Sequence, residues 1–425
     1  MVEAPVGESS PASVKGDKNF NRLWYGLATS QLGSAIGMVA LPIVAVSILG
    51  ASTFEVAILS GASAVTVALL AFPMGSVVEV RRKRPVMITA DLVRFVALAS
   101  VPLAGYLGLL SFVQLCLVAV ANAVGQIGFQ AASQAHLKNL VSREALVDAN
   151  GRLESTQWLS LTVGPSLGGA LVGVAGAFLG FLVNSVAFVV SAVSVRRIPK
   201  PEPSPRGNLS GQDRRAALTG GLRFVRSHAQ LRFMLLSWLG FAAGVGMLSP
   251  VTITFLLNDL SFSPFEYGLI LGLPSIGGFL GARLARRASK TSGIRRTVVF
   301  SSLLRAPWQF LIPLASPGMP GLVLCLVGTF GVLFFSGLCN SSMAAFRAME
   351  TPDGLMSRVS TLWSFTTTVG QPLFILLGGV IGTTIGARSG IVIAACVMLG
   401  SSFITLPVLR TPQTPTASTE GTEPA

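Results

Sequence analysis

What most constrains this chain is a series of long stretches without a single charged residue. They run from Leu23 to Phe54, Phe95 to Leu137 (His136 taken as neutral), Ser155 to Val195, Phe233 to Asn258, Ala306 to Phe346 and Val359 to Ala387. A helix crossing the hydrocarbon core of a bilayer needs roughly 20 apolar residues, so runs of up to about twice that length, broken by turn residues, predict helical hairpins in a membrane. Composition agrees. The chain is 51% hydrophobic and 11% charged, whereas soluble domains carry about a quarter charged residues.

Twelve spanning helices are predicted, at 23–49, 54–79, 86–108, 112–133, 155–175, 177–195, 232–257, 265–285, 297–315, 320–343, 359–383 and 388–409. Turn residues divide them at Gly50-Ala-Ser, Gly105 to Ser111, Gly176 and Ser316 to Gly321. The expected organisation is a polar N-terminus (1–20), a six-helix bundle (21–195), a linker (196–231), a second bundle (232–410) and a disordered tail (411–425). Leu222, Val225 and Ala229 suggest an amphipathic helix in the linker, lying on the inner leaflet; a solvated linker is the alternative. No cleaved signal peptide is expected, and the first helix is retained.

The net charge of +14 would suit nucleic acid, but the basic residues sit in short loops between apolar runs. Of the 31 Lys and Arg, Arg94 and Arg305 fall just inside helices three and nine, and Arg388 stands alone in a loop of the opposite set. The others gather on one side of an even-numbered bundle. The positive-inside rule then predicts cytoplasmic N- and C-termini in a cell inner membrane, with anionic lipids rather than nucleic acid as the partner of this charge. The four cysteines, all within apolar runs, read as packing residues.

The sequence also repeats itself. Ser52 to Gly61 recurs as Ser263 to Gly272, and Arg94 and Arg305 share that offset of 211. Arg152 to Gly164 matches Arg358 to Gly370, and Gly75 to Arg81 matches Gly281 to Arg287, both at an offset of 206. The expected fold is therefore an all-α membrane protein, twelve transmembrane helices in two pseudo-symmetric six-helix bundles. Such repeats are how secondary transporters build alternating access.

Two motifs carry a family resemblance. Gly75-Ser-Val-Val-Glu79-Val-Arg-Arg-Lys83-Arg84-Pro85 lies between helices two and three, and Gly164-Pro165-Ser-Leu-Gly168-Gly169 lies in helix five, with Gly151 thirteen residues before Gly164. The chain resembles the major facilitator superfamily, of the twelve-helix drug and siderophore exporter type, over about residues 18–410. The resemblance implies that Gly75 lets helix two approach helix eleven, and that Glu79 sits at the N-terminal end of that helix or pairs with a loop Arg, a lock that differs between access states. Lys83 and Arg84 are the motif's basic pair, and a topogenic basic loop is the alternative. It also implies that the Gly-Pro bend of helix five governs leakage and export direction in a proton-coupled exporter. Val80, Arg82 and Ser160 depart from the family patterns. Ordinary glycine packing is the alternative reading of helix five.

Helix four carries Asn122, Gln126, Gln130 and Gln134 at spacings of four, which aligns them along one face. Amides facing lipid would lack partners, so this face is expected to line a substrate pathway, with helix–helix hydrogen bonding as the alternative. Gln31 and Ser34 in helix one, Gln157 in helix five and Asn340 in helix ten are expected to join it. Trp238 and Trp363 are candidates for stacking on a planar substrate, or for interface anchors. Asp91 and Glu154 are the coupling candidates, although an Asp91–Arg94 structural pair is the preferred reading of the former. The helix-four Arg of related drug antiporters is absent, since Ala121 and Val124 occupy its place.

Several classes are excluded or disfavoured. No Gly-x-x-x-x-Gly-Lys-Ser/Thr loop is present, which argues against an ATP-driven pump in one chain. No nucleophile–base pair or metal cluster points to an enzyme, and neither cofactor nor metal is expected. The expected function is secondary active export of a neutral or lipophilic small molecule by proton antiport, from a cavity without buried Arg or Lys, by a monomer. A siderophore exporter, or a metabolite importer or sensor on the same scaffold, is the alternative.

Overall fold

The computed structural model describes residues 16–142, 145–199, 202 and 222–409. Among the described residues the chain makes twelve crossings, here numbered α1 to α12. The first half comprises α1 (Lys18–Ile43), α2 (Thr53–Glu79), α3 (Lys83–Tyr106), α4 (Phe112–Leu140), α5 (Leu146–Ala175) and α6 (Ala177–Arg196). The second comprises α7 (Ala229–Thr254), α8 (Pro264–Gly272 and Ser275–Ser292), α9 (Ile294–Arg305), α10 (Met319–Glu350), α11 (Asp353–Ile385) and α12 (Ala387–Phe403). Among the described residues, eleven helices are long and apolar enough to cross a membrane.

The ninth crossing departs from the uniform helix predicted at 297–315. Its α-helix ends at Arg305 and continues as a 3-10 helix, Pro307–Leu314. Proline cannot donate to the helical ladder and its ring clashes with the preceding turn, so Pro307 and Pro313 break the α-helix. The pieces still reach across: twelve residues rising 1.5 Å and eight rising about 2 Å give roughly 34 Å, against a core about 30 Å thick.

The internal repeat is visible in local geometry. Ser52 and Glu55 close a ring of hydrogen bonds at the start of α2, the Ser52 N–H and hydroxyl donating to Glu55 Oε2 at 2.7 and 2.8 Å. Ser263 and Glu266 form the same capping box before α8, at 2.8 and 2.7 Å. Such reciprocal pairs satisfy helix-end donors that no backbone carbonyl reaches. A π-helical turn follows α1 at Val44–Ile48 and α7 at Phe255–Asp259, again offset by 211. Gly176 and Gly386 join α5 to α6 and α11 to α12 with nearly the same backbone, φ +83° and +89°.

Hydrophobic packing separates the two ends of the molecule. At the charge-poor end a single core joins both halves, running from Val39, Val56 and Phe181 to Val251, Phe255, Tyr267 and Ile391. At the basic end the halves keep separate cores. One centres on Phe20, Leu23, Met87 and Leu137, the other on Met234, Val298, Phe346 and Trp363. Val225, in a short helical segment over 222–227, is buried in the second of these cores. Outward-facing Leu69, Val96, Val113 and Leu373 are exposed, as expected for surfaces solvated by lipid.

Candidate transport site

The halves approach closely where α5 meets its neighbours. A Cβ on Gly164 would lie 2.4 Å from the Ala35 Cβ of α1, and one on Gly168 would lie 2.3 Å from the Ile36 carbonyl oxygen. Gly169 faces α8 of the other half, where a Cβ would lie 2.3 Å from the Pro264 carbonyl oxygen. Gly268 returns the relationship toward the Pro165 carbonyl, also at 2.3 Å. Helix five is thus held between α1 and α8 with no room for side chains. Gly151 has open space around it and takes no part in that packing. A matching seam joins α2 to α11 and α7: a Cβ on Gly379 of α11 would lie 2.2 Å from the Ala57 Cβ of α2, and the Thr53 hydroxyl of α2 donates to the Thr254 hydroxyl of α7 at 3.2 Å.

In the motif between α2 and α3, Lys83 Nζ donates to the Val78 and Arg81 carbonyls at 2.7 Å each, so a cation closes the C-terminal end of α2. Glu202 accepts from the backbone N–H groups of Lys83 and Arg84 and caps α3 from the linker. The side-chain surroundings of Gly75 and Glu79 lie outside the described residues.

A cavity of about 390 Å³ opens inside the N-terminal half, of a size that suits a small molecule. Asn122, Gln126 and Gln130 of α4 line it, joined by Gln31, Ser34 and Gln157. Gln134, one turn further along α4, lies outside the lining. Asn340 lines a separate cavity in the C-terminal half with Trp238, Trp363 and Arg347. Glu154 is exposed on α5 and belongs to neither lining.

The principal residue the sequence reading missed is Arg94. It lines the first cavity and is 3% exposed. It sits about 17 Å along α3 from Lys83, roughly halfway across the bilayer core. Its Nε donates to Asn122 Oδ1 at 2.9 Å, its Nη2 donates to Ser34 Oγ at 3.0 Å, and the guanidinium lies 3.8 Å over the Phe188 ring. Gly125 of α4 makes the space, since a Cβ there would come within 2.5 Å of Arg94 Cγ. The expectation of a cavity without a cation is therefore corrected. Arg94 lines one cavity and Arg347 the other.

Asp91 lies one turn before Arg94 and is fully buried. The expected Asp91–Arg94 pair stays open. Arg94 gives its hydrogen bonds to Asn122 and Ser34, and neither Asp91 oxygen has a hydrogen-bond partner among the described residues. The carboxylate remains within the electrostatic reach of Arg94. The position repeated from Arg94, Arg305, is also fully buried and lies 3.5 Å over the Phe241 ring. Ser302 stands where Asp91 would repeat, so the second half lacks the buried acid.

Two bundles joined at one end, with polar cavities inside an apolar exterior, define a multi-pass membrane transporter rather than an enzyme. Residues 23–335 and 239–425 match the Major Facilitator Superfamily, and the chain belongs to that family. It is 25% identical over 401 residues to the multidrug efflux pump Tap of Mycolicibacterium fortuitum, covering 91% of this chain and 95% of that one. The solved structure of a bacterial homologue of the iron transporter ferroportin, in its inward-facing state, shares the fold with a TM-score of 0.75. Identity there is 18%, covering 92% of this chain and 98% of that one. An outward-facing structure of such a homologue, also 18% identical and covering 92% and 99%, gives 0.58.

Proposed function

We propose that the chain exports a small amphipathic molecule across a bacterial inner membrane by alternating access, in exchange for protons. The observation carrying this reading is a hydrogen-bonding cavity at mid-membrane with a buried carboxylate one helical turn from the Arg94 that lines it. With the basic end cytoplasmic, as the positive-inside rule expects, halves joined at the other end describe a transporter open to the cytoplasm. Similarity to a multidrug efflux pump supports the outward direction.

Arg94 couples cargo to proton. While Asp91 is ionised, its charge offsets that of Arg94 in a low-dielectric interior; once protonated, it leaves Arg94 uncompensated. A cargo that displaces Asn122 and Ser34 from the guanidinium frees Arg94 to turn toward Asp91, which favours release of the proton. Cargo and proton thus compete through one side chain, the relationship antiport requires.

Reconstituted, inverted vesicles acidified inside should accumulate a lipophilic fluorescent drug, and an uncoupler should abolish the accumulation. Asp91→Asn should remove gradient-driven uptake while sparing cargo exchange at equal pH. Uptake indifferent to the uncoupler would reject antiport, and full uptake by Asp91→Asn would move the proton site elsewhere.

A further inference from the structure

The C-terminal half has a cavity of its own, about 260 Å³, sharing no residue with the one around Arg94. Trp238 of α7, Asn340 and Arg347 of α10, and Ser360, Trp363 and Thr367 of α11 line it. Asn340 and Arg347 are seven residues apart and so share a helix face. The Arg347 guanidinium lies 5.0 Å from the Trp363 ring centre. Trp238 Nε1 donates to Thr367 Oγ1 at 3.3 Å, and the Thr367 hydroxyl in turn donates to the Trp363 backbone carbonyl at 2.6 Å, so the Trp238 indole is tied to α11.

Like the first cavity, this pocket holds one arginine and, among the described residues, no Asp or Glu in its lining. Arg347 Nε is buried without a hydrogen-bond partner among the described residues. The nearest acid along α10, Glu350, is engaged by Arg295 at 3.6 Å. A cation with unused donors, beside two indoles and a small-polar rim, offers a fork for oxygen anions and flat faces for a ring. The volume sits just under the usual range for drug-sized ligands, which suits one or two fused rings.

We propose that this pocket captures a planar aromatic anion, with a carboxylate or phenolate oxygen on Arg347 and its ring against Trp363 and Trp238. The pocket lies at the basic end, one turn from the end of α10 and two turns into α11. On the export reading above, on which this inference rests, that is the mouth through which cargo arrives. The site would make the first contact, and the mid-membrane cavity the second. A cationic drug would be disfavoured at this mouth, whereas an aromatic acid would be gathered from solution.

The test uses the full chain in lipid nanodiscs without a gradient, reading tryptophan quenching by 1-naphthoate, 1-naphthalenemethanol and 1-naphthylmethylammonium. The naphthoate should bind at least tenfold more tightly than the ammonium compound. Arg347→Gln should abolish that preference while leaving the neutral alcohol unchanged, and Arg347→Lys should restore part of it. Equal binding of anion and cation by the unaltered protein would overturn the proposal. So would an unchanged preference in a folded Arg347→Gln protein, which would leave Arg347 as an anchor to lipid headgroups. Because no proton gradient is present, failure here leaves the Asp91 experiment standing, and the reverse also holds.

Discussion

Gly169 of α5 and Gly268 of α8 stand face to face across the two halves. A Cβ on either would lie within 3.1 Å of the other's Cα and within 2.3 Å of a backbone carbonyl oxygen. Neither contact ends in a flexible side chain that yields. Gly169→Val is therefore expected to force the charge-poor ends apart. Overpacking costs about 1–3 kcal/mol, which would shift the balance between access states roughly 5- to 150-fold away from this one. Cysteine labelling at positions flanking Pro264 should speed up accordingly; unchanged labelling would show that the seam tolerates side chains.

The Arg94 cluster predicts an asymmetry between two neutralising substitutions. Asp91 and Arg94 are both buried one turn apart without a direct hydrogen bond, so each offsets the other's charge through the low-dielectric interior and losing either leaves a charge uncompensated. Arg94→Met strands the buried Asp91 carboxylate and opens the Asn122 contact, so it should lower the melting temperature most. Asp91→Asn should cost less, and the double substitution should recover part of the loss. Additive effects in thermal unfolding would show that the two charges do not interact.

Position along α4 predicts which amides matter to cargo. Gln126→Ala and Gln130→Ala should alter the range of compounds transported without reducing membrane insertion. Gln134→Ala, one turn beyond the lining, should leave it unchanged. Comparing drug susceptibility of cells expressing each variant checks this directly.

The linker acid Glu202 predicts a local effect. Loss of a helix cap costs about 0.5–2 kcal/mol. Glu202→Ala should raise amide hydrogen exchange at Lys83 and Arg84, with little change at Ala90 deeper in α3. Uniform exchange along α3 would place the support of this helix elsewhere.

Much of the fold was legible because each hairpin is written as an uncharged run and the basic loops alternate between them. Where helices project into water, the same signal fades. α5 begins at Leu146, before the expected 155, and α10 runs to Glu350, beyond the expected 343. Polar residues such as Asn150 and Arg347 continue a helix without registering as a span. The amide row on α4 was readable from its spacing of four, and three of its members do share a cavity. Arg94 was not. A lone cation near a predicted helix start looks like a residue reaching for headgroups. What holds it inward is a missing side chain, Gly125, on a different helix. Likewise Asn340 could be recognised as polar within a span, but no spacing within one chain says which half's cavity it will meet.

The face of α5 against α8 has a consequence for how this chain can vary. At most packed positions a bulky replacement is accommodated by trimming the neighbour opposite. Here the neighbour is peptide backbone on both sides, and nothing remains to trim. Change at Gly169 or Gly268 must be absorbed by displacing a whole helix, and that helix belongs to the other half of the molecule. The two bundles, free to drift apart in their pocket linings, are thereby bound to a shared shape along this line.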